Sequence, residues 1–238
     1  MKKRLAIFDI DGTIFRSSLL IELVNGLIDE NIFSKDVYKE IENDYLAWLD
    51  RKGSYENYIL KVVKIFIRNI KGCREKDMAL VIEKVLNSQK DHVYRYTRKL
   101  IEDLKKKDYF LLAISGSPVP IVSKFSAYNK FDSFYGTLFE VKDGIFTGKV
   151  TQAPTEEGKE KIVKKFLKNS ELEFDLSKSI AIGDTRTDIP LLEMVGKPIA
   201  FNPNLGLAKV AKKKGWKIII ERKDVVFNVL ELKFEKYG

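Results

Sequence analysis

The stretch FDIDGTIF (residues 8–15) sets two carboxylates one residue apart, directly behind the apolar run 4–10. A short apolar run that ends in a polar turn reads as a strand buried on both faces, the kind found in parallel sheets. Asp9 and Asp11 then stand at the strand's carboxyl end, where side chains project into a cleft and where mutual repulsion contributes nothing to folding. Two acids this close disfavour each other's ionisation unless a cation offsets the repulsion, and a hard, oxygen-binding ion such as Mg2+ suits them.

Four later runs, 110–114, 179–182, 198–201 and 216–220, predict further strands of the same type. Helical spacing lies between them. Val93, Thr97, Leu100, Ile101 and Leu104 mark one helix, and Ile162, Val163, Phe166 and Leu167 a second; Leu191, Leu192 and Val195 mark a third, after Thr187. Strands alternating with helices predict an α/β fold: a three-layer, Rossmann-like parallel sheet whose ligands sit at the carboxyl ends of the strands.

Two segments interrupt that alternation. Residues 16–89 show only helical periodicity, clearest in Tyr55, Ile59, Val62, Val63, Phe66, Ile67 and Ile70. They predict an all-helical cap domain (16–89) inserted into a core made of residues 1–15 and 90–238, with hinges near 15 and 90. Residues 135–150 place two β-like runs around Lys142-Asp143-Gly144, a hairpin signal, and predict an extension at one edge of the core.

Composition narrows the class. An apolar share of 45% in 238 residues predicts a folded globular chain. The apolar run after the basic start is broken by Asp9 and Asp11, unlike a signal peptide, and no later window is long enough to span a bilayer. Cys73 is the single cysteine, which excludes an intrachain disulfide and fits a cytoplasmic protein. The charge of +9 comes from 43 Lys and Arg against 34 Asp and Glu. Most of the excess is lysine spread along amphipathic segments, without the aromatic and arginine interleaving of single-strand binders, which argues against nucleic acid as a partner.

Further candidates stand at other strand ends. IAIGDTRTD places Asp184 after Gly183, with Asp188 four residues on. AISGSP presents Ser115, Gly116 and Ser117 before a helix that Pro118 would open, a turn suited to phosphate. Lys159 starts a helix and has Ile162 and Val163 at its three- and four-residue offsets, which turns it toward the buried face; Lys161 has Lys164 and Lys165 there and reads as solvated. Acids for a metal, a hydroxyl and amide nest and one lysine describe phosphoryl transfer. Tyr45, Trp48, Tyr55 and Tyr58 read either as a substrate-pocket wall or as the cap's own core, and His92 as exposed.

DIDGT, the run into Ser115, Lys159 and GDTRTD, in that order over nearly the whole chain, resemble the four motifs of the haloacid dehalogenase superfamily. The helical insertion resembles the cap of its phosphoserine phosphatase-like subgroup. The resemblance implies a phosphatase of small phosphorylated metabolites, in which Asp9 is the nucleophile that becomes an aspartyl-phosphate and Asp11 is the general acid and base. It implies Mg2+ on the Asp9 and Asp184 carboxylates and the Asp11 backbone carbonyl. Phosphate would be held by Ser115, Lys159 and the amides near Gly12 and Gly116. Asp188 would orient Lys159 or the metal's waters, and Thr13 would steady the loop or Asp11. A phosphotransferase with the same intermediate, or a receiver-like phosphoacceptor module, are the competing readings. Arg16-Ser17-Ser18 stands where phosphoserine phosphatases carry an acid for the substrate amine, and the cap stretch SYENYILKVVKIF has no arginine for a substrate carboxylate. Both departures argue against phosphoserine.

Overall fold

Alternate residues of the first strand, β1 (Arg4–Asp9), pack on opposite sides of a sheet in the computed structural model, which describes residues 2–234. Leu5 and Ile7 join one apolar layer and Ala6 and Phe8 the other, and all four are fully buried. A strand with this pattern needs helices on both faces. β1 lies in the middle of an eight-stranded sheet with β2 (Tyr109–Pro118), β3 (Ser133–Lys142), β4 (Ile145–Gln152), β5 (Ile180–Gly183), β6 (Lys197–Phe201), β7 (Lys217–Arg222) and β8 (Val225–Val229), in the order β4-β3-β2-β1-β5-β6-β7-β8. The strands from β3 across to β7 run parallel, and β4 and β8 close the two edges antiparallel.

Between β1 and β2 the chain forms α1 (Leu19–Asp29), α2 (Asp36–Leu49), α3 (Tyr55–Ile70), α4 (Glu75–Gln89) and α5 (Arg95–Lys106). After β2 come α6 (Val119–Tyr128), α7 (Pro154–Glu157), α8 (Lys159–Asn169), α9 (Ile189–Leu192) and α10 (Leu205–Lys214). Val163 of α8, Leu191 of α9 and Leu207 of α10 cover the face carrying Leu5 and Ile7. Ile101 of α5 and Phe125 of α6 cover the other face, and there Leu23 of α1, Phe66 of α3 and Ile82 of α4 join the same apolar layer. The sheet is therefore the middle of three layers.

The two chain segments that lead into and out of α1–α4 run side by side. Arg16 N–H donates to the His92 carbonyl and Tyr94 N–H to the Ile14 carbonyl, both at 2.9 Å. At the other end of the insertion the hairpin reaches up to the α3–α4 turn. Phe146 N–H donates to the Cys73 carbonyl (2.9 Å), and Gly72 and Glu75 N–H donate to the Phe146 and Gly144 carbonyls (2.8 Å each). The hairpin turns at Asp143 and Gly144, whose φ values of 50° and 73° are those of a primed turn matched to strand twist. The hairpin does extend one edge of the core, but it also fastens the helical insertion, which no local pattern signals.

Two expectations are corrected. β2 does not stop at Ile114; it runs through Ser-Gly-Ser to Pro118, which pairs with Thr137 past an irregularity, so α6 opens at Val119 and Pro118 precedes it. A strand not expected, β8, pairs with β7 around a tight turn in which Lys223 has a φ of 56°. Among the described residues no helix is long and apolar enough to cross a membrane.

Candidate active site

β1 is hydrogen-bonded to β2 on one side and β5 on the other, with Asp9 opposite Ile114 and Phe8 opposite Ile182. Asp11 and Asp184, which follow β1 and β5, and Ser115 within β2 therefore emerge together at the carboxyl edge. This is where the chain order reverses direction across the sheet, the crevice in which open α/β sheets bind ligands.

Lys159, the first residue of α8, is buried and reaches into this crevice. Its Nζ lies 2.5 Å from Asp9 Oδ1 and 2.6 Å from Asp188 Oδ1, while Lys161 is exposed. Burial alone would strip the proton from Lys159, but the Asp188 and Asp9 carboxylates outweigh it and hold the ammonium above its ordinary range. For Asp9 burial dominates. It drives the carboxyl up to about 7, with Lys159 pulling down and the charges of Asp188 and Asp11 pushing up. Asp184 is likewise raised well above the ordinary value, by burial first and the Asp9 charge second.

Asp188 is fully committed. Its Oδ1 takes Lys159, and its Oδ2 accepts from the N–H groups of Asp184 (3.2 Å) and Thr185 (3.0 Å) and from the Thr185 hydroxyl. It holds the lysine and the turn that carries Asp184. Gly183 makes that turn possible, since a Cβ there would stand 2.5 Å from the Asp188 carboxyl carbon. Gly12 has the same role opposite Asp184: its φ is 83°, and a Cβ would come 2.2 Å from Asp184 Oδ2.

Thr13 donates its hydroxyl to Asp9 Oδ2 at 2.9 Å, with Asp184 Oδ1 at 3.4 Å. Of the two expected roles, steadying the loop or Asp11, the contact is with the loop's first acid, Asp9, because the turn at Gly12 brings residue 13 back over residue 9. Asp11 faces elsewhere. Its Oδ1 accepts the Leu19 N–H at the start of α1 (2.6 Å), and its Oδ2 accepts the hydroxyls of Ser115 and of Ser117 (3.0 Å for the latter). The Ser115 hydroxyl is held by Asp11 and by the Ser117 N–H, and Gly116 and Ser117 line the cavity beside it.

Oxygens of Asp9, Asp184 and Asp188 lie within 4.8 Å of one another. Four carboxylates share the crevice with one ammonium, and Asp184 has only a long hydroxyl contact against its charge. An all-oxygen donor set with excess negative charge fits a hard divalent cation. Because Asp188 is spent on Lys159 and the turn, Asp9 and Asp184 are the side chains with donor capacity for it.

Asp9, Asp11, Gly116, Lys159 and Asp184 open onto a cavity of about 180 Å³ between α3 and the hairpin. A wider cavity of about 1020 Å³ lies on the other side of Tyr55 and reaches Gly12 and Asp184. Tyr55 borders both. Its ring packs 5.4 Å from Trp48 and 6.1 Å from Tyr58, and burial, then the charges of Asp11 and Asp184, raise its phenol above the ordinary range. Tyr45, Trp48, Tyr55 and Tyr58 thus pack on one another and also form a wall beside the acids. His92 is exposed, as expected.

A profile of the haloacid dehalogenase-like hydrolases matches residues 6–193, from β1 through α9. The chain belongs to the haloacid dehalogenase-like hydrolase family. Within the matched span lie Asp9, Asp11, Ser115, Lys159, Asp184 and Asp188. The hydrolase is 28% identical over 230 residues to a phosphoserine phosphatase of Methanocaldococcus jannaschii, covering 94% of this chain and 95% of that one. It is 25% identical over 230 residues to a histidinol-phosphatase of Neisseria meningitidis serogroup C, covering 91% and 98%. A crystal structure of a Bordetella pertussis Tohama I protein of unknown function shares the fold at a TM-score of 0.76 and 20% identity, covering 92% and 98%.

Proposed function

We propose that this hydrolase is a Mg2+-dependent phosphatase that cleaves a small phosphomonoester through an aspartyl-phosphate on Asp9. The observation that carries the reading is the buried pairing of Asp9 with Lys159 beside Asp184, at the one point of the sheet where three strand ends converge. Two relatives bearing the names of phosphomonoester hydrolases support it.

In the first step an Asp9 carboxylate oxygen attacks phosphorus, the bond from phosphorus to the leaving oxygen breaks, and Asp11 gives that oxygen a proton. The alcohol leaves. In the second step Asp11 takes a proton from water, the water oxygen attacks phosphorus, and the bond to Asp9 breaks to release phosphate and restore the carboxylate. Lys159 stays charged and holds a phosphoryl oxygen together with the amide at Gly116. In the free enzyme the Ser115 hydroxyl rests on Asp11, and it would pass to phosphate when Asp11 turns toward the leaving group. Mg2+ bound by Asp9, Asp184 and the Asp11 carbonyl would supply charge that offsets the repulsion of the acids and of the incoming phosphate. Residues 16–89 act as a cap that excludes water and selects the leaving group. A cytoplasmic site of action goes with the single cysteine.

Purified protein should hydrolyse p-nitrophenyl phosphate with Mg2+ and lose that activity on EDTA treatment, regaining it when Mg2+ is returned. Full activity in excess EDTA would contradict the metal assignment.

A further inference from the structure

We infer that the leaving group of the substrate is uncharged and apolar, of the short alkyl or aryl type, and not amino-acid-like; this rests on the phosphatase reading above. Beyond the reacting groups, the cavity that opens from Asp9 is walled by Ile59, Val63, Phe66 and Ile67 of α3 and by Phe139 and Val150 of the hairpin. These two elements are fastened to each other by the α3–α4 turn hydrogen bonds and by the edge-to-face contact of Phe66 with Phe139 at 5.4 Å. The apolar wall is therefore a built surface.

Apart from the reacting groups and Glu156, its polar side chains are uncharged hydroxyls, those of Tyr55, Thr155 and Thr185 among them. The Ser117 hydroxyl is spent on Asp11 and on the Leu20 N–H, and the Thr137 hydroxyl on the Gly116 carbonyl. Ser18 is buried, does not cap α1, and offers one uncharged hydroxyl. Among the described residues no arginine, and no lysine other than Lys159, lines this cavity, so a leaving group's carboxylate would be buried without a partner. The only further acid is Glu156, on the exposed side of α7, where an ammonium would gain little from pairing. The wider cavity beyond Tyr55 does carry Arg16, Lys35 and Lys39 together with Glu22 and Glu42, and Asp184 borders both cavities, but Asp9, Asp11 and Lys159 border the apolar one and not the wider one. A phosphoryl group seated on Asp9 and Lys159 therefore aims its leaving oxygen at the apolar wall.

The test is a series of unbranched alkyl phosphates from methyl to butyl, with phosphoserine and acetyl phosphate beside them, all with Mg2+. Each added methylene should raise kcat/KM about fourfold, with phosphoserine falling at least roughly tenfold below butyl phosphate. Inhibition by the matching alkylphosphonates should tighten along the same series, a readout independent of turnover. Val63→Asp, checked for folding by circular dichroism, should flatten both series. A flat native series, or phosphoserine preferred, with acetyl phosphate still hydrolysed, overturns this inference and leaves the phosphatase reading intact. No turnover of acetyl phosphate, of p-nitrophenyl phosphate or of any alkyl phosphate overturns that reading, and this inference with it.

Discussion

The carboxyl edge of the sheet and the cavity under α3 lie against each other and are built on opposite principles. At the edge, Asp9, Lys159 and Asp188 are locked by short charged contacts, and each acid has its own donors. Under α3 the walls are aliphatic and aromatic side chains whose contacts are non-directional. The first arrangement holds charged atoms by directional contacts, as phosphoryl chemistry needs. The second fixes a shape and a polarity, which is how one chemical core can serve many leaving groups.

Substitutions can break this comparison or sharpen it. The largest effect belongs to Asp9: Asp9→Asn should lower kcat by on the order of 10⁴-fold or more for every substrate, because it removes the proposed attacking group. Asp11→Asn should lower kcat by about 10²–10⁴-fold. It should leave Mg2+ affinity in calorimetry nearly unchanged, since the Asp11 carboxylate faces Leu19, Ser115 and Ser117. Equal loss of affinity and turnover would count against separate jobs for the two acids.

Lys159→Met leaves Asp9 and Asp188 buried without their cation and should cost about 3–5 kcal/mol of stability in denaturant unfolding. A loss below about 1 kcal/mol would show that the edge is not locked as described. Gly12→Ala combines a positive φ with a collision at Asp184, for an expected cost of about 1–3 kcal/mol and weaker Mg2+ binding. The smallest effect is expected at the rim, where Arg186 reaches Glu56 of α3 at 2.9 Å with both side chains more than half exposed. Arg186→Gln should change stability by less than about 1 kcal/mol.

The same contrast explains what could be read from residue order. The parallel strands follow from short apolar runs, and the acids from their position just behind those runs, because strand period and strand end are local properties. Lys159 was separable from Lys161 by its offsets to Ile162 and Val163, again a local signal. The strand β8 was missed although Lys223-Asp224 sits between two apolar runs, a turn signal that was present. The hairpin's grip on Gly72, Cys73 and Glu75 had no such signal, since backbone hydrogen bonds between distant segments leave no mark on residue type. Residue order puts Ser115 and Thr13 at the strand ends where they stand, but the oxygen each one bonds depends on the placement of Asp11 and the turn at Gly12. The apolar wall was half legible. Ile59, Val63, Phe66 and Ile67 were expected on one helix, but not that Phe139 and Val150 face them across a cavity.

Borohydride reduction during steady-state turnover, followed by peptide mass analysis, tests the central claim most directly. An aspartyl-phosphate is reduced to an alcohol, so the account predicts that conversion at position 9, dependent on substrate and Mg2+ and absent in Asp9→Asn. An unmodified Asp9 under turnover, or conversion at Asp11 instead, would contradict it.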